Sequence, residues 1–465
     1  TDIAGLQFAG LKSSFAMNPR AHEHFELFVN LLDEAGRVHL FWSYNADLFA
    51  KNTMAGHVAR FRRLLKGLAQ APQTALADAG RFLTGVIKPA SGTHDDPGAD
   101  GPQTVTEHFA RMVAKFPTRT ALRFHNETMD YRTLDQRSDA LAALLQQKGV
   151  RSGDLVGISS RRALDLIVAV LGALKAGAGY VPFDTTLPPD RLAFMAQDTA
   201  VKVLLGECEP VTAAGVPTIP FREFPRGAGK PQPATVTGAS MCYVMFTSGT
   251  TGKPKGVVLP HRSVIRMLID NFWLKLSPDT VTLHSSAFAF DTSIIDIFAA
   301  LLHGGCVVIP PDGTLSLGQL ADSIAGHGVN TLWLTSGLFH AVADMRPQVF
   351  AKVQQVIVGG DIVSPVHVRK VVDACPGCTV INGYGPTESN VTNAHTVTRQ
   401  DLDSGQALPI GPAIHGTQIY IVDENLNPVD AGVQGELVIS GRGLALGYWN
   451  RPELTAEKFV QAPWD

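Results

Sequence analysis

From residue 104 onward, short uninterrupted apolar runs alternate with segments in which apolar residues recur at helical spacing. Continuous apolar strands that alternate with helices indicate a sheet covered on both faces, so we expect an α/β fold. The strand-like runs include Leu155–Ile158, Val201–Leu205, Cys242–Phe246, Thr331–Leu334, Val356–Val358 and Val380–Ile381, and the helical segments include Ala163–Ala176 and Thr292–Leu302. Ligands of such sheets bind beyond the carboxyl ends of the strands, which directs attention to the residues after Phe246, Val358 and Ile381.

The first 75 residues have a different pattern. Two strand-like runs, Phe25–Leu32 and Val38–Tyr44, flank a polar turn and predict a hairpin. Apolar residues at helical spacing from Met54 to Leu68 predict an amphipathic helix. One hairpin and one helix bury too little surface to be stable alone, so this small α+β fragment needs a partner, either the rest of the chain or a preceding portion. Residues 76–103, which are rich in Gly, Pro, Asp and Ser from Ala90 onward, are expected to be a linker.

Composition and charge narrow the function classes. The chain has 465 residues, 45% of them apolar, and its 39 Lys and Arg against 42 Asp and Glu give a net charge of −3. Without a basic surplus it is not suited to hold a nucleic-acid backbone. No apolar run reaches the ~18 residues of a membrane-spanning helix, and we find no signal-peptide pattern. Five cysteines fit a reducing compartment, so we expect a cytoplasmic protein.

The pair Cys375 and Cys378 is a lone CxxC. A structural zinc site needs a second Cys or His pair at fixed spacing, and none is found, so we interpret the pair as a turn with two incidental thiols. The metalloprotease motif HExxH and the nucleophile motif GxSxG are also absent from the sequence.

The segment Thr247–Gly256 predicts a loop that binds phosphate. Directly after an apolar run, ten residues hold three glycines, four hydroxyl side chains and two lysines. Glycines let the backbone approach a ligand closely, and exposed N–H groups, hydroxyls and ammonium groups attract anions. The spacing differs from that of a Walker A loop, which has four residues between its first glycine and Gly-Lys.

The sequence YVMFTSGTTGKPKGVV resembles the signature loop of the adenylate-forming superfamily, which includes acyl-CoA synthetases, luciferases and the adenylation domains of non-ribosomal peptide synthetases. Further segments resemble adenylation-domain motifs in the right order: Tyr131–Leu134, Leu174–Asp184, Phe290–Ser293, Asn382–Glu388, Gly435–Tyr448 and Arg451–Phe459. Leu446 departs from the pattern, which usually has Arg there. The resemblance covers residues 104–465 and implies the large N-terminal subdomain of this fold, with mixed and parallel sheets flanked by helices and a small β-barrel-like part.

For the nucleotide, the resemblance implies a site for ATP and Mg²⁺. Tyr384 would stack on adenine, Asn382 would bind its exocyclic amine, and Glu388 would hold Mg²⁺. Taken singly, Tyr384 could be a packing aromatic and Glu388 a solvated carboxylate. The implied catalytic residues are Thr247, Lys255, Thr387 and Glu388, and the implied nucleotide-binding residues are Thr247, Ser248, Gly249, Thr250, Thr251, Gly252, Lys255, Gly359, Gly360, Asn382, Gly383, Tyr384, Gly385 and Thr387.

For the acyl substrate, Asp291 matches the aspartate that binds the α-amino group in peptide-synthetase adenylation domains. An ammonium group buried without a partner is very costly, and a carboxylate compensates for it. The alternative is that Asp291 caps the helix that starts near Thr292. The implied substrate pocket consists of Asp291, Thr292, Ile295, Trp333, Ile357, Gly359, Gly383, Val391 and Thr392. Its mostly apolar wall leads us to expect a small or medium aliphatic amino acid, with valine first and isoleucine behind it.

The resemblance implies that an amino acid and ATP give an aminoacyl-adenylate and pyrophosphate. The acyl group then passes to the phosphopantetheine of a carrier domain. Residues 1–75 resemble the end of a condensation domain, whose remainder is an expected partner, and an MbtH-like protein is a further candidate. We expect residues 104–465 to be the large subdomain, with a small subdomain that carries the catalytic lysine, and an aspartate that binds ribose, beyond residue 465. Two alternatives are a stand-alone acyl- or aryl-CoA ligase and a non-catalytic scaffold.

Overall fold

The computed structural model describes residues 26–34, 37–49, 51–73, 90–92, 101–227, 229–247, 254–313, 315–429 and 432–462. The described residues form two compact units. The first takes its residues from Thr1–Ala90 and Tyr420–Leu437, and the second from Ser91–Ile419 and Val438–Ala462. In this described part of the chain, no helix has the length and apolar character to span a membrane.

Strands and helices are numbered in chain order. The strands are β1 (Leu27–Glu34), β2 (Arg37–Tyr44), β3 (Ser91–Gly92), β4 (Thr120–Phe124), β5 (Glu127–Asp130), β6 (Leu155–Ser159), β7 (Gly179–Phe183), β8 (Val203–Leu205), β9 (Thr218–Ile219), β10 (Met241–Thr247), β11 (Lys255–Pro260), β12 (Val281–Leu283), β13 (Cys306–Ile309), β14 (Thr331–Thr335), β15 (Gln355–Gly359), β16 (Thr379–Tyr384), β17 (Asn393–Thr396), β18 (Thr417–Val422), β19 (Glu436–Gly441) and β20 (Gly447–Tyr448). The helices are α1 (Lys51–Gln70), α2 (Val105–Lys115), α3 (Tyr131–Gln147), α4 (Leu164–Lys175), α5 (Pro189–Thr199), α6 (Glu209–Ala213), α7 (His261–Leu268), α8 (Ser293–Leu301), α9 (Leu317–His327), α10 (Ser336–Met345), α11 (Pro365–Ala374), α12 (Arg399–Asp403) and α13 (Pro452–Lys458).

The first unit contains the predicted hairpin and helix. Strands β1 and β2 pair antiparallel, with Leu27 opposite Tyr44 and Glu34 opposite Arg37. The Trp42 ring meets the Phe61 ring of α1 edge-on, with 5.6 Å between their centroids. The hairpin and the helix are therefore confirmed.

Two large sheets dominate the second unit, as the alternation of strands and helices predicts. The seven-stranded sheet has the order β20-β11-β10-β7-β6-β8-β9, and the eight-stranded sheet has the order β17-β16-β15-β14-β12-β13-β4-β5. Most neighbouring strands in their interiors are parallel, whereas β10 and β11, β16 and β17, and β4 and β5 pair antiparallel. The expected α/β fold with mixed sheets is thus observed.

A short antiparallel sheet is the described counterpart of the expected small β part. In it, Ser91 and Gly92 of β3 pair with Ile419 and Gln418 of β18. The predicted linker 76–103 therefore contributes two residues to a sheet.

The two large sheets share one apolar core. A single cluster of buried side chains includes residues from both sheets and from α2, α3, α4, α7 and α8. Helix α4 is buried almost throughout, because its sequence is apolar on every side. A second cluster joins the eight-stranded sheet to α9, α10 and α11, and a third joins the seven-stranded sheet to α5. Both sheets are consequently covered on two faces.

Local sequence signals set the helix starts. Helix α2 begins with a capping box, in which the Thr104 side chain accepts from the Glu107 N–H and the Glu107 carboxylate accepts from the Thr104 N–H. Helix α9 begins in the same way with Ser316 and Gln319. These caps satisfy N–H groups that the first turn leaves without a helical partner.

Candidate active site

A cavity of about 260 Å³ lies at the carboxyl ends of β15 and β16. This position is the one that the strand pattern predicts for a ligand of an α/β sheet. Its walls come from α7, α8, β14, β16 and the loop after β16. The lining residues are Met267, Asp291, Thr292, Ile295, Trp333, Gly360, Gly383, Gly385, Pro386, Thr387, Asn390 and Val391.

Asp291 is partly buried in this cavity, and among the lining residues that the structure describes it is the one acidic or basic side chain. The N-cap position of α8 is Thr292, which makes no side-chain capping bond, and the Asp291 carboxylate just before it accepts from the Thr292 N–H. Burial raises the pKa of Asp291, and the nearby Glu388 charge acts in the same direction. Hydrogen bonds from the Thr387 side chain and the Thr292 backbone lower that pKa without offsetting the effect of burial.

Most of the predicted substrate pocket comes together. Asp291, Thr292, Ile295, Trp333, Gly383 and Val391 all line the cavity. Ile357, Gly359 and Thr392 lie behind the wall rather than on it. Ile357 and Thr392 are fully buried, and Thr392 donates through its hydroxyl to the Tyr384 carbonyl oxygen at 3.2 Å.

The Trp333 indole packs closely against two glycines of the neighbouring strands. A Cβ atom at Gly359 would lie 3.0 Å from the indole ring, and one at Gly383 would lie 3.2 Å from it. These distances are shorter than ordinary van der Waals contact, so the missing side chains make room for the ring. The indole is 5% exposed and is the largest side chain that lines the cavity.

Three lining residues were not assigned to the site from the sequence: Met267, Pro386 and Asn390. Asn390 has a left-handed φ of 54°, a conformation that Asn tolerates better than most residues. Its Oδ1 accepts from the Tyr243 hydroxyl at 2.8 Å, which fixes the amide beside the cavity. An Asn after the turn Pro386–Ser389 was the available signal. Met267 lies on the buried face of α7, where nothing in the sequence distinguishes it from a core residue.

The predicted phosphate loop starts and ends on a hairpin. Strands β10 and β11 pair antiparallel with Thr247 opposite Lys255. Ser248, Gly249, Thr250, Thr251 and Gly252 lie outside the described residues, so their roles stay predictions. The Thr247 hydroxyl is buried and finds no hydrogen-bond partner among the described residues.

Lys255, Glu388 and Tyr448 form one hydrogen-bonded cluster. The Lys255 ammonium donates to Glu388 Oε1 at 2.9 Å and to the Tyr448 hydroxyl at 3.0 Å, and that hydroxyl donates to the same Oε1 at 2.6 Å. Burial favours the neutral form of both charged groups, but the hydrogen bonds within the cluster outweigh it. The net result is a lowered pKa for Glu388 and a raised pKa for Lys255, so both carry charge at neutral pH.

The donor set fits Mg²⁺ held jointly with a nucleotide. In the described ranges, no group of three or more His, Cys, Asp or Glu side chains could hold a metal by itself. Mg²⁺ is commonly bound by one or two carboxylates together with substrate phosphates and water. A single ionised carboxylate at Glu388, on the loop that lines the cavity, is a donor of this kind.

The predicted adenine side lies at the end of β16. Asn382 is 7% exposed, and its Nδ2 donates to the Pro409 carbonyl oxygen at 2.8 Å, which fixes the orientation of the amide. Tyr384 presents its ring to solvent, at 38% exposure. A Cβ at Gly385 would overlap the carbonyl oxygen of Asn390, so the loop closes only around a glycine here.

The two ends of the predicted site are continuous. Asp291 and Thr387 line the same cavity, and Thr387 is followed directly by Glu388, which is bonded to Lys255. The groups proposed for the amino acid and for the triphosphate therefore share one site.

Two other sequence features are also located. Cys375 and Cys378 are buried free thiols at the end of α11, where the Cys378 N–H donates to the Cys375 carbonyl oxygen at 2.9 Å. This geometry is the turn that the sequence predicts. Leu446 is 46% exposed and donates through its backbone to Val258, so the departure from Arg falls on a side chain that faces outward.

Residues 109–449 match the AMP-binding enzyme family. Tyrocidine synthase 3 of Brevibacillus parabrevis is 33% identical over 472 residues, which take in 100% of this chain and 7% of that protein. Bacitracin synthase 1 of Bacillus licheniformis is 36% identical over 368 residues, which take in 78% of this chain and 7% of that protein. The chain thus spans less than a tenth of the length of these relatives.

Solved structures with the same fold are similar over more than three quarters of the chain. PA1221, an NRPS protein containing adenylation and PCP domains, superposes with a TM-score of 0.75 at 32% identity, over 79% of this chain and 75% of that chain. The N-terminal subdomain of Klebsiella oxytoca NpsA in complex with 3-hydroxyanthranilyl-AMSN gives a TM-score of 0.72 at 29% identity, over 78% of this chain and 92% of that chain.

The chain belongs to the AMP-binding enzyme family. Within that family, its relatives and structural neighbours place it with the adenylation domains of non-ribosomal peptide synthetases. The predicted adenylate-forming fold and the predicted enzyme class, an AMP-forming ligase, are confirmed at the level of the family.

Proposed function

We propose that this chain activates an amino acid with ATP, forming an aminoacyl-adenylate and releasing pyrophosphate. The observation that carries the proposal is the continuity of the site, in which Asp291 shares a cavity with Thr387 while the adjacent Glu388 is bonded to Lys255. Asp291 at one end matches the ammonium group of the amino acid. Glu388 and Lys255 at the other end match the triphosphate of ATP and its metal ion.

At the amino-acid end, Asp291 binds the substrate ammonium. The surrounding wall offers no other charged side chain among its described residues, so the ammonium and the carboxylate neutralise each other inside the cavity. A charge buried there without its partner costs several kcal/mol. The substrate carboxylate then points towards Thr387 and the nucleotide.

At the nucleotide end, Tyr384 stacks on adenine and Asn382 accepts from its exocyclic amine. Thr387 contacts the α-phosphate, while Thr247, Lys255 and the loop between them bind the leaving phosphates. Glu388 would hold Mg²⁺, which supplies positive charge to the phosphate oxygens when bound. The protein contributes mainly by positioning the reactants and stabilising negative charge as it develops.

The substrate that fits best is a small or medium aliphatic amino acid such as valine. Ile295, Val391 and the Trp333 indole make the wall apolar opposite Asp291. The bulky indole occupies space within a cavity of about 260 Å³, which would disfavour long side chains. The absence of a second charged residue from the described lining disfavours Asp, Glu, Lys and Arg as substrates.

We further propose that the chain acts within a peptide synthetase. Residues 1–75 would be the end of a condensation domain, residues 76–103 a linker, and residues 104–465 the large adenylation subdomain. The acyl group would pass to the phosphopantetheine of a carrier domain, since PA1221 contains an adenylation and a PCP domain. The exposed Leu31 and Val38 of the hairpin are apolar side chains that the remainder of a condensation domain would cover.

An aryl- or acyl-CoA ligase is the competing function. The N-terminal subdomain of NpsA, a structural neighbour, was solved in complex with 3-hydroxyanthranilyl-AMSN, so an aryl acid is a competing substrate class whichever acceptor takes the acyl group. The Asp291 carboxylate in the acyl cavity favours an acid that carries an ammonium group over one that does not. Without that ammonium group, binding of the substrate would remove water from the carboxylate and leave it unpaired.

The test compares binding and ATP–pyrophosphate exchange for matched acids. Valine and 3-methylbutanoic acid share a side chain, but the second lacks the ammonium group. In Asp291→Asn we expect valine affinity to fall by at least ~100-fold, which corresponds to about 3 kcal/mol for an unpaired buried charge. Binding of 3-methylbutanoic acid should be unchanged or tighter.

Asp279→Asn is the matched control, since the Asp279 side chain is 88% exposed and pairs with Arg119 away from the cavity. It should leave both acids unaffected. Equal loss of the two acids in Asp291→Asn would mean that the cavity had collapsed, and no loss of valine would remove the role of Asp291. Coenzyme A consumption with an aryl or fatty acid, without amino-acid-dependent exchange, would establish the competing function.

A further inference from the structure

Tyr448 contacts both charged groups at the nucleotide end of the site. Its hydroxyl donates to Glu388 Oε1 at 2.6 Å and accepts from the Lys255 ammonium at 3.0 Å. The same ammonium lies 4.2 Å from the centre of the Tyr448 ring, within range of a cation–π interaction. One side chain therefore organises both members of the ion pair.

The Tyr448 side chain is itself held in place from several directions. The residue is 6% exposed, and its ring meets the Phe459 ring edge-on at 5.6 Å. Its N–H donates to Thr455 Oγ1 at 2.9 Å, and it lies opposite Val257 in the pairing of β20 with β11. A hydroxyl on so fixed a ring can impose an orientation on a flexible neighbour.

The backbone of Glu388 is tied to the same segment. The Ala445 N–H donates to the Glu388 carbonyl oxygen at 2.7 Å. The segment 445–448 thus binds Glu388 at its backbone and at one carboxylate oxygen. The hydroxyl and the ammonium both bond Oε1, and the Glu388 N–H also donates to the carboxylate, so neither Tyr448 nor Lys255 occupies the second oxygen.

We propose that Tyr448 is a positioning residue, which holds Glu388 Oε1 so that the other carboxylate oxygen meets the metal of an incoming metal–nucleotide complex. This inference rests on the proposed function, in which Glu388 is the metal ligand. Lys255 balances the Glu388 charge in the absence of nucleotide and is free to turn to the phosphates when a metal takes its place. The neutral hydroxyl remains on Oε1 throughout, because it does not repel the metal.

Ligating carboxylates depend on such hydrogen bonds, and losing one typically costs 10–100-fold in metal affinity or activity. Tyr448→Phe removes the hydroxyl while retaining the ring, its packing on Phe459 and its cation–π contact with Lys255. A purely structural role would lower thermal stability and weaken all ligands alike. A positioning role weakens binding only when a metal is present.

The experiment measures ATP affinity by titration calorimetry in excess MgCl₂ and in EDTA. For Tyr448→Phe we expect the affinity in MgCl₂ to fall roughly tenfold and the affinity in EDTA to change less than about twofold. Tyr131→Phe is the control, because it also removes a buried tyrosine hydroxyl, one that donates to the Gly305 carbonyl oxygen at 2.8 Å outside the site. It should leave the ratio of the two affinities unchanged.

A double-mutant cycle tests whether Tyr448 acts through Glu388. In the Glu388→Gln background, Tyr448→Phe should produce less than a twofold further change in MgCl₂. An unchanged affinity ratio in the single variant, or an undiminished effect in the Glu388→Gln background, would overturn the inference. If the unaltered chain binds ATP equally well in MgCl₂ and in EDTA, the metal assignment in the proposed function fails, and the role of Tyr448 fails with it.

Discussion

Acidification should destabilise the second unit through His261, the first residue of α7. This imidazole is 1% exposed, and its Nδ1 accepts from the Val105 N–H at 3.3 Å, which requires an unprotonated nitrogen. Burial lowers the pKa of His261 from its ordinary 6.5 to about 4, while the Glu107 charge acts weakly in the opposite direction. Packing α7 against α2 therefore holds the side chain neutral.

The sign and size of the effect follow from the two pKa values. The unfolded chain takes up a proton at His261 below about pH 6.5, whereas the folded chain does so only below about pH 4, so stability is lost as the pH falls between these values. The whole difference corresponds to about 3 kcal/mol, at about 1.4 kcal/mol for each tenfold change in proton affinity. About 2 kcal/mol of it should be lost between about pH 7.5 and about pH 5.

Equilibrium urea unfolding at the two pH values measures this loss. His261→Asn is the comparison, because an amide oxygen near the Nδ1 position can still accept from Val105 but does not titrate. Every other titrating group contributes equally to the stability loss of both proteins, so the difference between the two losses isolates the contribution of His261. We expect the variant to lose about 2 kcal/mol less than the unaltered chain on acidification. Equal losses in both proteins would show that His261 does not account for the acid sensitivity.

Three further predictions concern the site. Because the pKa of Asp291 is raised, this carboxylate becomes protonated as the pH drops towards that pKa from above, and the affinity for valine should fall while that for 3-methylbutanoic acid should not. Calorimetry across a pH series measures both affinities, and parallel behaviour of the two acids would contradict the prediction. Trp333→Ala should deepen the cavity and raise the preference for leucine over valine roughly tenfold in pyrophosphate exchange, whereas a constant preference would mean that the indole does not limit substrate length. Gly385→Ala should lower the exchange rate by about 100-fold, because its Cβ would displace the Asn390 backbone, and a normal rate would show that the loop tolerates the shift.

Much of the local structure could be predicted from the sequence. The apolar run Cys242–Phe246 lies within β10, and the segment Ala163–Ala176 contains α4, because continuous burial leaves a simple apolar signature. The loop Thr247–Gly256 was recognisable because its chemistry is concentrated in ten consecutive residues. The hydrophobic pattern thus identifies elements, and a dense local motif indicates where a ligand would bind.

The relations between distant elements could not be predicted in the same way. β10 and β16 belong to different sheets, although both are strands that end at the site. The sequence gives no sign that Lys255 contacts Tyr448, which is 193 positions away. Their contact depends on the pairing of β20 with β11. Similarly, matching Ile357 to a family position does not show that Trp333 and Gly383 cover it.

The indole of Trp333, seated on Gly359 and Gly383, has a consequence for how such enzymes diversify. Because two of the residues next to the ring are glycines, a smaller residue at position 333 would open space on that side without displacing side chains there. A single substitution at position 333 could then change the size of the cavity while the strands stay in place. Lineages that inherit this arrangement could exchange one monomer for another in their products through very few genetic steps.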